Sequence, residues 1–96
     1  MIDRIALIEL LEEIEAKIES TDELVLEGTI YEDVEELLDD VEAFIVELED
    51  GNLDTIEYLS IHFLDNATFQ VLAQQNNWGD IFQSWNATYE SLLKHK

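Results

Sequence analysis

Leu7, Leu11, Ile14 and Ile18 recur at steps of four, three and four, with Leu10 beside them. Glu9, Glu12, Glu13, Glu15 and Glu19 fall mainly on the other side. That period is the signature of an amphipathic helix and predicts one over residues 2–19. Ser20-Thr21-Asp22 supplies a stop, and residues 24–28 (Leu-Val-Leu-Glu-Gly) read as a connection with an apolar anchor. A strand there would have no evident mate.

A second stripe is clearer. Ile30, Val34, Leu37, Leu38, Val41, Phe44, Ile45 and Leu48 trace one face, opposite Glu32, Asp33, Glu35, Glu36, Asp39, Asp40, Glu42, Glu47 and Asp50. Thr29 with Glu32 three residues on has the form of a capping box, and Gly51 suits the left-handed turn that ends a helix. A third helix is expected over about 54–64. Its apolar residues (Ile56, Tyr58, Leu59, Ile61, Phe63, Leu64) go nearly all the way round. Such a helix sits in the middle of a bundle or keeps one face for a partner. Asp65 or Asn66 would cap a short fourth helix to about Gln75, and Asn76-Asn77 with Gly79 makes a break. Asp80 would then cap a last helix with Ile81, Phe82, Trp85, Tyr89, Leu92 and Leu93 on one stripe and Lys94, His95 and Lys96 at its cation-favouring end.

These elements predict an all-α fold: one domain over residues 1–96, a compact four- to five-helix bundle with antiparallel neighbours and strongly acidic N-terminal helices. Ile5 and Val46 fall outside the stripes, as a dimer contact or as ordinary exposed residues.

Charge changes the picture. The 96 residues carry 24 Asp and Glu against 4 Lys and Arg, a net charge of −20. Through Tyr58 there are 21 acids and 2 bases; from Leu59 onward, 3 acids and 2 bases. A 47% hydrophobic content separates the chain from disordered acidic tails. The acid repels phosphates, so neither direct nucleic-acid binding nor docking on an anionic membrane is expected. No cysteine, no long apolar run and no basic leader point to a cytoplasmic chain without disulfides. The near-repeat Asn66-Ala67-Thr68-Phe69 and Asn86-Ala87-Thr88-Tyr89 contains two glycosylation sequons, without the leader that would expose them to glycosylation.

Parts for catalysis are scarce. The histidines are His62 and His95, Ser60, Ser84 and Ser91 lie in no nucleophile elbow, and the three glycines form no phosphate loop. With Gly51 at position 6 of a calcium loop, Glu57 falls at position 12, yet Val46 and Leu48 occupy positions 1 and 3 and offer no side-chain oxygen. A di-iron Glu-x-x-His also fails, since Leu59 precedes His62 by three. No enzyme activity, cofactor or specific metal site is expected.

The acids themselves are the candidate site. Residues 32–50 hold ten carboxylates over 19 residues, roughly one per 3 Å at a 1.5 Å rise, against one per ~1.7 Å in duplex DNA. Two such helices side by side approach that density. Carboxylate pairs four apart (Glu32/Glu36, Glu35/Asp39, Glu36/Asp40) cost a few tenths of a kcal/mol each, and solubility needs a net charge of only ~2–8. The preferred expectation is a small inhibitor that sets Glu32, Glu35, Glu36, Asp39, Asp40, Glu42, Glu47, Glu12 and Glu13 against a basic protein, such as a nucleic-acid-binding protein or nuclease, as DNA mimics, anti-defence proteins and immunity proteins do. The alternative is a helical assembly or chaperone-like module, a homodimer included, that uses aromatic C-terminal helices. Trp78, Trp85 and Tyr89 would form its contact, with core packing the competing role for that stripe. Adaptation to high salt fits less well, because the acid is confined to one part of the chain.

Overall fold

The computed structural model describes residues 3–64 and 67–94. It holds five helices: α1 (Arg4–Ser20), α2 (Val34–Glu49), α3 (Thr55–His62), α4 (Thr68–Asn76) and α5 (Gly79–Lys94). The all-α bundle expected from the periodicity is what forms. A Cα radius of gyration of 12.7 Å matches the ~13 Å of a folded chain of this length.

α1 and α2 make the most extensive helix pair, α1 also packs on α5, α4 on α5, and α2 on α3. Leu7, Leu10, Leu11, Ile14 and Ile18 from α1 meet Leu37, Val41, Ile45 and Leu48 from α2 in one buried cluster, shared with Leu59, Phe63, Phe69, Leu72, Trp78, Trp85 and Tyr89. The Arg4 guanidinium lies 3.2 Å from where a Cβ on Gly51 would sit, so the start of α1 lies beside the end of α2.

The helix ends depart from expectation in three places. The cap of α2 is Asp33, whose carboxylate accepts from the Glu36 N–H (2.9 Å), while Glu36 Oε1 accepts from the Glu32 N–H (3.0 Å). Thr29 instead closes a local turn, donating its hydroxyl to the Leu26 carbonyl and accepting from the Tyr31 N–H. Asp is as good a cap as Thr, and the one at 33 leaves no unsatisfied gap before Val34. Ile30 therefore precedes the helix and is 79% exposed rather than on its buried stripe. The third difference is at α5, which begins at Gly79: the Phe82 N–H returns to the Trp78 carbonyl (2.8 Å), placing Asp80 within the first turn instead of at its cap. The proposed caps of α4, Asp65 and Asn66, lie outside the described residues, as does His95.

Gly51 ends α2 as expected. At φ +83°, it donates to Leu48 while the Asn52 N–H reaches the Glu47 carbonyl (2.9 Å), the paired bonds of a Schellman stop. Asn77 ends α4 at φ +61°, with its own N–H and that of Trp78 (2.8 Å) both donating to the Ala73 carbonyl. The connection through Leu24 and Val25 is neither helix nor strand. Asn76 supplies the missing mate: its side-chain amide accepts from the Val25 N–H and donates to the Val25 carbonyl, each at 3.0 Å.

α3 is not central to the bundle. Thr55 and Leu59 face the core, while Tyr58, Ile61 and Leu64 are 64, 56 and 59% exposed. Trp78, Trp85 and Tyr89 are buried; the two indoles meet edge to face at 6.1 Å, and Tyr89 stacks on Phe63 at 4.1 Å while its hydroxyl pairs with Ser60. The aromatic stripe is core in this chain, because it faces α1 and α3 rather than solvent.

Candidate functional site

At 100° per residue, the carboxylates of α2 form two rows. Glu35, Asp39 and Glu42 share one side of the helix; Glu36, Asp40 and Glu47 lie roughly 120° away around the axis. The first row borders α1, since Glu42 acts electrostatically on Glu15. The second borders the segment before α2 and α3. There Asp40 accepts from the Tyr31 hydroxyl (2.7 Å), and its charge is felt by His62. Glu47 is half-buried and accepts from Asn52 Nδ2 (2.5 Å), and Glu36 is occupied with the Glu32 N–H. Glu32 itself stands ahead of the helix.

α1 divides in the same way. Glu12, Glu15 and Glu19 make one row, toward α2. Glu9 and Glu13 make another, lining with Ala6, Leu10 and Thr88 an open groove of about 420 Å³ between α1 and α5. Of the nine carboxylates expected to act together, Glu12, Glu35, Asp39 and Glu42 share the α1–α2 seam. Glu32, Glu36, Asp40 and Glu47 belong to a second side and Glu13 to a third. Glu15 and Glu19 complete the seam and were not among the nine. Their i, i+3 and i+4 spacing from Glu12 and from each other already puts them in its row.

Burial, then the carboxylates of Glu19, Glu42 and Glu12, push the Glu15 carboxyl above its ordinary range. Lys17, on the same helix, is directed elsewhere: its ammonium lies 5.7 Å over the Trp78 ring, a cation–π contact.

A different chemistry occupies the far side of α2. His62 Nδ1 hydrogen-bonds Thr68 Oγ1 (2.8 Å), and its ring packs against Tyr31, Phe44 and Phe69 with centroids 6.3, 5.6 and 5.9 Å away. Burial lowers its pKa, with Asp40 opposing. Burial and the bond to Asp40 push the Tyr31 hydroxyl up. Beside this cluster, residues 28–30 face Ile61, His62, Ala67 and Thr68 across a groove of about 240 Å³.

Among the described residues no three His, Asp or Glu side chains are grouped to hold a metal ion, and no helix is long and apolar enough to cross a membrane. Comparison of the chain with protein-family models, curated proteins and solved structures finds no match.

Proposed function

We propose that this chain is a non-enzymatic binding protein that sets the α1–α2 carboxylate seam against a basic surface of another protein. The surface it fits is one that otherwise holds phosphates, so the partner is a nucleic-acid-binding protein or nuclease, and the effect is inhibition by occupancy. A DNA-mimic, anti-defence or immunity-type role in the cytoplasm is the form of this reading. The observation that carries it is the gathering of Glu12, Glu15, Glu19 and Glu42 from two helices; burial first, and then the charge of these three neighbours, raises the Glu15 carboxyl above its ordinary range. Carboxylates gathered in this way make a negative field that attracts cationic groups. Charge complementarity of this sort gives fast, salt-sensitive association.

The test is affinity capture at low and at about 0.15 M salt, using the wild-type chain and the double variant Glu15→Lys, Glu42→Lys. Basic proteins retained by the wild type, released by salt and by added DNA, and lost with the double variant are expected. Retention that ignores both salt and the seam substitutions rules the reading out.

The assembly-module reading has less support in its original form, because Trp78, Trp85 and Tyr89 are enclosed by the core. The exposed apolar side chains that could serve such a contact include Tyr58 and Ile61 on α3, Ile5 on α1 and Val46 on α2.

A further inference from the structure

The outer face of α3 inverts the usual pattern of a surface helix. Ile61 points about 160° away from the buried Leu59, Tyr58 precedes it by three residues on the same face, and Leu64, just past the end of the helix, is also exposed; Glu57 is the one charged residue on that face. Across the adjoining groove stands Ile30, the most exposed large apolar side chain among those described. Contiguous apolar surface rimmed by polar residues marks a place where something binds.

Three observations narrow the occupant. The groove, at about 240 Å³, is smaller than the ~300–1,000 Å³ of small-molecule sites and suits an apolar side chain. Its surroundings are acidic: Glu27, Glu32 and Asp33 flank the 28–31 segment, Glu57 adjoins Tyr58, all four exposed, and the Asp40 carboxylate acts on His62 in the groove wall. A second copy of this chain would bring −20 against −20, a repulsion that works against self-association.

We infer that this groove seats an apolar anchor residue from a lysine- or arginine-rich segment of the partner, with the flanking carboxylates meeting the segment's cations. The inference rests on the proposed docking to a basic protein and adds a second, apolar point of attachment on the other side of α2. Charge at the seam sets the rate of encounter; the anchor slows release, since buried apolar contacts at the centre of an interface dominate its affinity. It also gives Ile30 and Ile61 a reason to be outside.

The full chain is titrated by calorimetry with two synthetic peptides at about 0.15 M salt: one with leucine and lysine in helical register, the other an oligolysine of equal charge. The wild type is expected to bind the leucine-containing peptide at least about tenfold more tightly, as one buried aliphatic anchor warrants. Ile30→Ser with Ile61→Gln, both at exposed positions and expected to keep the wild-type melting temperature, should erase that gap and leave oligolysine binding unchanged. Equal binding of the two peptides to the wild type, or a gap that survives the double substitution, overturns the anchor while the electrostatic reading stands. Failure of both peptides to bind even at low salt overturns the electrostatic reading and the anchor with it. A free chain that sediments as a dimer split by Ile61→Gln assigns the groove to a second copy and also overturns the proposal.

Discussion

α1 and α2 bury leucine, isoleucine and valine and turn glutamate and aspartate outward; α3 buries Thr55 and Leu59 and turns Tyr58 and Ile61 outward, with Leu64 exposed just beyond its end. The two regions share one continuous core, so the contrast is in what they offer to solvent. The acidic pair conforms to the amphipathic rule with an excess of like charge that folding does not require. α3 breaks the rule with apolar residues that folding does not require either. Positions whose chemistry the fold leaves unexplained are where function is to be sought. Here they occur as two kinds of surface on two sides of α2.

The largest effect should come from the core on which both regions depend. Trp85→Ala removes an indole packed against Trp78 and should cost about 3–5 kcal/mol, much of the ~5–15 kcal/mol of a typical domain. Chemical denaturation measures it. A loss below about 1 kcal/mol would mean that the aromatic stripe is not core and would return it to the surface.

Next is the joint between the acidic helices and α3. Gly51→Ala places a side chain at φ +83° and near the Arg4 guanidinium, which should cost about 1–2 kcal/mol. Asp33→Ala, by removing the cap of α2, should cost ~1 kcal/mol, whereas Thr29→Asp should not rescue it. If Thr29→Asp restores stability, the helix starts earlier than the structure has it.

The smallest effects distinguish the two sides of α2 by the sign of their pH dependence. Glu15 has its pKa raised on folding. The native state therefore binds more protons just above the ordinary carboxylate value, and this group's contribution falls as pH rises through that window. Glu15→Gln should stabilise by a few tenths of a kcal/mol at pH 7 and low salt, with the gain fading as pH falls toward 4. His62 has its pKa lowered from 6.5 by burial. The unfolded state binds more protons below pH 6.5, so stability drops as pH falls through 6.5 toward the folded value. NMR titration of the His62 ring, with urea melts of the wild type and His62→Phe between pH 5 and 7.5, checks it. A wild-type and variant pair whose difference is flat over that range would remove His62 from the balance.

Much of the fold was legible from spacing. The α1 and α2 stripes, the Gly51 stop and the break at Asn77 rest on local rules, and local rules suffice where periodicity is long and unbroken. A hydroxyl or carboxylate at 29 or 33 satisfies the same capping logic; in the fold Thr29 is taken up in a turn with Leu26 and Tyr31, and Asp33 caps α2. The candidate site was legible as a composition and not as a place. Glu35 and Glu36 are adjacent in sequence yet belong to different rows, and Glu15 joins Glu12 and Glu19 by the spacing they share.

The sequence by itself determined the helices, the buried faces of α1 and α2 and the −20 charge, because each follows from side-chain period and ionisation, which do not depend on neighbours distant in the chain. Tertiary structure alone decided which carboxylates converge. It also decided that the aromatic stripe turns inward and that Ile30 faces Ile61 across a groove. Those are relations between helices, set by how their ridges and turns pack, and no single helix carries that information.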